Sequence, residues 1–148
     1  MFKRILIPTD GSKLSRRAIK TGIALAKSVG ADIVGFHVRP LYPAVYFGEA
    51  SMVIPPRAEE RFEQQTLSAA GKYLAELETA ATRAGIKCKL VQREDISPAD
   101  AIIDAAKRNR CDLIVMASHG RRGAARLLLG SETNKVLVGS KIPVLVTR

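Results

Sequence analysis

The chain has 148 residues, of which 47% are hydrophobic, 26% charged and 5% aromatic, and its formal net charge is +10. This length suits one domain (1–148) with one core. No apolar run approaches the roughly 20 residues that cross a bilayer, and no signal-peptide h-region follows the N-terminus. We therefore expect a cytoplasmic protein without a membrane segment. The charge favours an anionic ligand without naming one, and the scarcity of aromatic residues for base stacking makes nucleic acid the least expected partner.

Apolar strand-like runs alternate along the chain with amphipathic helical patterns, which predicts βαβ units and a parallel sheet. The predicted strands are residues 5–8, 31–38, 86–92, 112–117 and 142–147. The predicted helices, counted from their caps, are residues 12–29, 57–84, 97–108 and 131–138. Ser12 and Ser97 are suited to cap two of these helices, and Gly30 is suited to end the first.

The stretch from Arg39 to Pro56 is the least regular part of the sequence. It carries several prolines, yet its apolar residues argue against plain disorder. We therefore expect a loop that packs against another protein surface, with a partner subunit as one candidate. We also expect its position to respond to a bound ligand.

The two cysteines, Cys88 and Cys111, are too few for a disulfide scaffold or a cysteine metal cage. Both stand beside strand-like runs, where a small buried thiol is common. We expect both to be structural core residues.

A loop that leaves the buried strand at 112–117 has the features of an anion site. It contains Gly120 and ends at a predicted helix N-terminus with Gly130 and Ser131. Backbone N–H groups and the helix dipole favour phosphate at such an end, and glycine lets the backbone approach it closely. Positive charge surrounds the loop at Arg121, Arg122 and Arg126.

A second polar element, Thr9 and Asp10, follows the first predicted strand. The Asp10 carboxylate could accept hydrogen bonds from ribose hydroxyls, or it could bond the backbone of its own turn. Both elements lie at carboxyl ends of strands, so they share one ligand only if the first and fourth strands are neighbours.

The motifs of the whole chain resemble those of the universal stress protein family. The shared pattern comprises ILIPTDGS at the start, HV ending at Val38, ASHG followed by nine residues and GS, and finally IPVLV. The resemblance implies a flavodoxin-related α/β fold, with a single-domain five-stranded parallel sheet in the order 3-2-1-4-5 and helices on both faces. It also implies a homodimer formed through the last strand, from Ile142 to Thr147, and an unidentified protein partner.

The family's ATP-binding branch carries Gly-x-x-Gly, nine residues, then Gly-Ser/Thr, so the resemblance implies ATP as the ligand, with or without Mg²⁺. The resemblance further implies that Asp10 faces the ribose and that Pro8 and Val38 border the adenine. Four residues would hold the phosphates: Gly120, Gly130, Ser131 and Thr133. The complete predicted site is Pro8, Thr9, Asp10, Val38, Met116, Ala117, His119, Gly120, Arg121, Gly130, Ser131, Glu132 and Thr133.

One position departs from the motif: Ala117 stands where the ATP-binding branch has its first glycine. The alternative is therefore the nucleotide-free branch, which acts through protein contacts. A weak Mg²⁺-assisted ATPase is a third hypothesis, but no nucleophile and base are spaced for catalysis, so a binding protein is favoured over an enzyme.

We expect His119 to be a hydrogen-bonding loop residue and His37 to be structural. The implied strand order also separates Cys88 from Cys111 by about 14 Å, beyond disulfide reach.

Overall fold

The computed structural model describes residues 1–42, 57–120 and 129–148, which form a five-stranded parallel sheet flanked by helices. The strands are β1 Arg4–Pro8, β2 Asp32–Arg39, β3 Cys88–Glu94, β4 Leu113–Ala117 and β5 Val144–Thr147. The helices are α1 Lys13–Val29, α2 Ala58–Arg83, α3 Pro98–Arg108 and α4 Ser131–Gly139. The strand order is β3-β2-β1-β4-β5, so the implied 3-2-1-4-5 topology is confirmed.

Two stretches of the sequence, residues 43–56 and 121–128, lie outside the described residues. They include most of the irregular stretch that follows Arg39, whose packing against a partner stays a prediction. They also include Arg121, Arg122 and Arg126, the three basic residues predicted around the anion loop.

The core has two halves, one on each face of the sheet, because successive strand residues point in opposite directions. One face buries Ile5, Ile7, Ile33, Leu113 and Val115 against α1 and α2. The other face buries Leu6, Val34, Phe36, Ile114 and Met116 against α3 and α4. The central strands β1 and β4 contribute to both halves, which explains their continuous apolar sequences.

The helix caps predicted from local sequence are confirmed. The Ser12 hydroxyl accepts a hydrogen bond from the Ser15 N–H at 3.1 Å, and the Ser97 hydroxyl accepts one from the Asp100 N–H at 3.4 Å. Gly30 ends α1 in the left-handed conformation, with φ of 69°. These side-chain bonds satisfy amides that a helix cannot pair internally.

Two strands begin two residues later than the sequence predicts, because the residues before them are hydrogen-bonded to other groups; β2 and β4 begin one residue later than predicted. β3 starts at Cys88, since the Ile86 N–H is bonded to the Ala81 carbonyl at the end of α2. β5 starts at Val144, since the Ser140 hydroxyl donates to the Ile142 carbonyl and accepts from the Ile142 N–H. The predicted starts at 86 and 142 were therefore two residues early.

The two cysteines are unpaired. Cys88 begins β3 and Cys111 precedes β4, and the strands β2 and β1 lie between β3 and β4. Cys111 is buried as expected, but Cys88 is only half-buried because β3 is an edge strand. Burial raises the pKa of the Cys88 thiol, and it raises the pKa of the Cys111 thiol to about 11. Both groups are therefore neutral thiols near pH 7. In the three described ranges, no helix is both long and apolar enough to span a membrane.

Candidate functional site

The site predicted from the two polar elements depends on whether β1 and β4 are neighbours, and they are. Ile5 pairs with Leu113 and Leu6 with Ile114 in parallel register. The order of strands along the chain reverses here, since β2 lies on one side of β1 and β4 on the other. In open α/β sheets this switch point, outside the carboxyl ends of the strands, is where ligands bind.

Across this switch point, Asp10 after β1 faces Gly120 after β4. A Cβ atom added to Gly120 would lie 2.9 Å from the Asp10 Oδ2 atom. The other carboxylate oxygen of Asp10, Oδ1, accepts a hydrogen bond from the Ser12 N–H at 3.0 Å. Asp10 therefore does bond its own turn, and the same turn directs its second oxygen toward the β4 loop.

The start of α4 is fastened directly to the end of β4. The Gly130 N–H donates to the Ser118 carbonyl at 2.8 Å, and the buried Thr133 hydroxyl donates to the Ala117 carbonyl at 2.9 Å. A Cβ atom on Gly130 would meet the Ser118 carbonyl oxygen at 3.2 Å and the His119 Cα at 3.3 Å. Glycine at 130 is therefore what allows the helix to start so close to the strand.

The first turn of α4 presents amide groups that the described residues do not engage. Its N-cap is Gly130, which provides no capping side chain, unlike the serines that cap α1 and α3. Among the described residues, no acceptor is bonded to the N–H groups of Ser131, Glu132 and Thr133. Such an end combines unpaired donors with the positive end of the helix dipole, the combination that binds phosphate.

The one acidic side chain in this turn, Glu132, is directed to other partners. Its Oε2 accepts from the Ala99 N–H at 2.9 Å, so it caps α3, and its Oε1 accepts from the Lys135 ammonium at 2.8 Å. The hydrogen bond to Glu132 also raises the pKa of Lys135. The carboxylate is thus paired with a cation and does not oppose an anion at the α4 amides.

The turn after β1 is supported from below by a set of residues that sequence analysis did not assign to the site. The buried His37 donates from Nδ1 to the Thr9 carbonyl at 2.7 Å, which requires the proton on that nitrogen. Its ring meets Tyr73 of α2 edge-on, with centroids 5.3 Å apart. The Tyr73 ring in turn lies against Gly11, where any added Cβ would strike it. The structural role expected for His37 agrees with this geometry.

Thr9 is itself part of this support. It is buried, its hydroxyl lies 3.2 Å from the Ser15 hydroxyl, and the same oxygen accepts from the Gly11 N–H at 3.3 Å. Its side chain therefore shapes the turn that carries Asp10 and does not face the cleft with a spare hydroxyl.

Three predicted apolar residues stand at the ends of three adjacent strands: Pro8 of β1, Val38 of β2 and Met116 of β4. Pro8 is paired with Phe36, and both Val38 and Met116 pack with the cluster under α3 and α4. All three therefore lie on the same face of the sheet as the start of α4. Together they form an apolar border beside the polar cleft.

Two further predicted residues belong to the β4 end. Ala117 is buried and pairs with Thr147 of β5, while its carbonyl receives the Thr133 hydroxyl. His119 is half-buried, and its Nδ1 lies 3.2 Å from the Ser118 hydroxyl, in line with a hydrogen-bonding loop residue. Within the described residues, no cluster of three or more His, Cys, Asp or Glu side chains could hold a metal ion.

Comparison with known proteins decides the family. The model of the universal stress protein family matches residues 1–148. The chain belongs to this family. A universal stress protein of Thermus aquaticus is 36% identical over the full length of both chains, and the universal stress protein MJ0531 of Methanocaldococcus jannaschii is 32% identical, over all of this chain and 83% of its own.

Solved structures of universal stress proteins have the same fold. The protein MJ0577 of Methanocaldococcus jannaschii superposes with a TM-score of 0.85 at 26% identity, covering 99% of this chain and 96% of its own. A universal stress protein solved in complex with cAMP has a TM-score of 0.72 at 24% identity, with coverage of 99% and 97%. One from Archaeoglobus fulgidus, solved in complex with dAMP, has a TM-score of 0.70 at 16% identity, with coverage of 99% and 98%.

Proposed function

We propose that this universal stress protein is a cytoplasmic stress-response protein that binds an adenine nucleotide, ATP in the first instance, between the ends of β1 and β4. In this proposal the phosphates contact the backbone N–H groups of Ser131, Glu132 and Thr133, together with the Ser131 hydroxyl. The Asp10 carboxylate contacts the ribose, and Pro8 and Val38 border the base. Gly120 and Gly130 leave room for the ligand to approach the backbone.

The observation that carries this proposal is the amide end of α4 at the switch point, next to the close pair formed by Asp10 and Gly120. A phosphate-binding element and a ribose-binding carboxylate then stand on the two strands that border one cleft. The complexes of two other universal stress proteins with cAMP and dAMP are in keeping with an adenine nucleotide.

The predicted contributions of Thr133 and Glu132 are narrower than the motif alone suggests. Both side chains are engaged, Thr133 with the Ala117 carbonyl and Glu132 with Ala99 and Lys135. In the proposal these two residues therefore contribute backbone N–H groups, while their side chains hold α4 in place.

Mg²⁺ would arrive with the ATP phosphates rather than in a cage of protein ligands. The ion commonly binds one or two carboxylates, waters and substrate phosphates, and Asp10 is the carboxylate that the described residues bring to the cleft. When bound, the ion neutralises phosphate charge. We propose binding without rapid turnover, because the described residues that line the cleft do not pair a nucleophile with a base.

The test is an equilibrium titration of the full chain with ATP and Mg²⁺, at low salt and at about 0.3 M salt, with AMP and GTP as comparison ligands. We expect saturable binding of one ATP per chain that persists at high salt, because contacts with desolvated amides are screened less than exposed charges. Phosphate release in the same samples is expected to be far slower than ligand exchange.

Two results would count against the proposal. Binding that disappears at high salt would reflect attraction of any polyanion to a chain of net charge +10. Absence of binding would place the chain in the nucleotide-free branch, with Ala117 as the residue to restore to glycine first.

We further propose that two copies pair through β5, which is one of the two edges of the sheet. β5 presents apolar residues, with Leu145 38% exposed, and the neighbouring α4 exposes Val138 at 82%. The opposite edge, β3, carries the charged residues Lys89 and Arg93, which discourage strand pairing.

The β5 interface is tested by sedimentation equilibrium of Leu145→Lys, with Gln92→Lys on β3 as the matched control. The native chain and the control are expected to have the mass of two chains, and Leu145→Lys is expected to have the mass of one. In a symmetric dimer the substitution would bury a lysine from each copy in the interface, which opposes pairing. A native monomer, or a dimer that Leu145→Lys leaves intact, would contradict this arrangement.

A further inference from the structure

A polar cavity lies at the amino ends of the strands, on the side of the sheet away from the α4 cleft, where β1 and β2 begin and α3 ends. Its volume is about 420 Å³. Five basic residues line it, namely Arg4, Lys87, Lys89, Arg108 and Arg110. Among the described residues that line it, Asp32 is the only acidic one.

Asn109, just after α3, holds two of these cations in place. Its carbonyl accepts from the Arg4 guanidinium at 2.9 Å, and its Oδ1 accepts from the Lys89 ammonium at 2.9 Å. Arg4 is also 3.9 Å from the Asp32 carboxylate, a distance at the limit of an ion pair. Two cations from β1 and β3, the strands on either side of β2, are thus oriented before any ligand arrives.

The last carbonyls of α3, at the negative end of its dipole, already have hydrogen-bond partners. The Ala105 carbonyl accepts from both the backbone and the side-chain amide of Asn109, and the Ala106 carbonyl accepts from the Cys111 N–H. The Lys107 carbonyl accepts from the Arg110 N–H. These carbonyls are therefore bonded within the chain, and five basic residues against Asp32 give the described lining of the cavity a positive net charge.

The remaining three cations are only lightly restrained. Arg108 pairs through Nε with Asp104 at 3.4 Å, but its side chain is 75% exposed. Lys87 and Arg110 are exposed as well. These side chains can turn toward an anion without breaking a buried interaction, so binding requires little reorganisation.

We propose that this cavity binds a short chain of phosphate groups, as in inorganic triphosphate or the phosphate tail of a nucleotide. Five cations against one carboxylate suit a multiply charged anion, and arginines with planar donor groups suit phosphate oxygens. The volume is in the range of small-molecule sites.

The lining favours a small anion over a nucleic acid. None of the described residues that line this cavity is aromatic, so bases have nothing to stack on. The site also stands apart from the α4 cleft, because it lies at the amino ends of the strands, and it does not depend on the proposed nucleotide function.

The experiment titrates the ¹⁵N-labelled full chain with inorganic triphosphate and follows backbone amide shifts, at about 0.15 M salt where the Debye length is about 8 Å. We expect saturable shifts at residues 32–34, 87–89 and 108–111. A parallel titration with ATP distinguishes the two sources of the phosphate groups. Shifts at these residues with both ligands would mean that the cavity accepts free triphosphate and the phosphate tail of a nucleotide alike. Shifts with triphosphate alone would mean that it accepts only the free anion.

The variant Lys87→Gln/Arg108→Gln is expected to weaken triphosphate binding about tenfold, because it removes two of the five cations that line the cavity. Arg17→Gln/Lys20→Gln on the exposed side of α1 removes the same charge outside the cavity and is the matched control. Asp32→Asn is expected to tighten binding about threefold, an effect that loss of folding cannot produce.

Three results would overturn the proposal. The first is a set of shifts confined to residues 118–120 and 130–134, which would assign triphosphate to the α4 cleft. The second is equal weakening by the control pair, which would mean that binding follows net charge alone. The third is unchanged or weaker binding by Asp32→Asn.

Discussion

Gly130→Val is expected to weaken ATP binding by at least about a hundredfold while the chain still folds. A Cβ atom at this position would already be 3.2 Å from the Ser118 carbonyl oxygen and 3.3 Å from the His119 Cα. The two further methyl groups of valine would push the first turn of α4 away from β4 or cover its amides. In the proposed site either change removes backbone N–H donors to the phosphates, each worth about 1.5 to 3 kcal/mol to a charged acceptor.

The measurement is a titration of Gly130→Val beside Gly71→Val, with thermal unfolding of both. Gly71 lies in α2 and has nothing within 4 Å of an added Cβ atom, so the same substitution there should leave binding unchanged. Gly130 has φ of −59°, which any residue can adopt, so we expect only the modest stability loss of an overpacked site, about 1 to 3 kcal/mol. ATP binding by Gly130→Val at native strength would mean that the ligand does not use the α4 amides.

Gly11→Ala is expected to lower the free energy of unfolding by about 2 to 5 kcal/mol, because one added methyl group meets two separate penalties. Gly11 has φ of 75°, where a side chain costs about 1 to 2 kcal/mol. The added methyl would also strike the Tyr73 ring, and overpacking of this kind costs about 1 to 3 kcal/mol.

Gly30→Ala separates the two costs. Gly30 has φ of 69° but nothing within 4 Å of an added Cβ atom, so it should show the backbone cost alone, about 1 to 2 kcal/mol by urea unfolding. Combining Gly11→Ala with Tyr73→Ala should recover the overpacking part, as a positive coupling in a double-mutant cycle. Equal losses for Gly11→Ala and Gly30→Ala would show that the Tyr73 contact gives way at no cost.

Features that depend on neighbouring residues could be predicted from the sequence. The caps at Ser12 and Ser97 each bond an amide three residues ahead, so the local pattern contains both partners. The apolar run of β4 likewise reflects its burial on both faces. The resemblance to the family then supplied the strand order, which no local pattern contains.

Features that depend on distant partners could not be predicted. The Thr133 hydroxyl bonds a carbonyl 16 residues away, and the Glu132 carboxylate bonds an amide 33 residues away. The motif suggested a phosphate ligand at Thr133, and Glu132 was included in the predicted nucleotide site, but a motif does not show which side-chain atoms are already hydrogen-bonded in the fold. The support of the β1 turn by His37 and Tyr73 was missed for the same reason, since three elements meet there.

The hydrogen bond from the Ala99 N–H to Glu132 joins the start of α3 to the first turn of α4, on one face of the sheet. One end of α3 is held by the first turn of α4, and the other end reaches Asn109 and the basic cavity. Its 11 residues span about 16 Å at 1.5 Å per residue. If both proposed ligands bind, a ligand that shifts the start of α4 would also shift α3 and the cavity at its other end. Thermodynamic reciprocity would then require that occupancy of the cavity change the affinity of the first ligand by the same free energy.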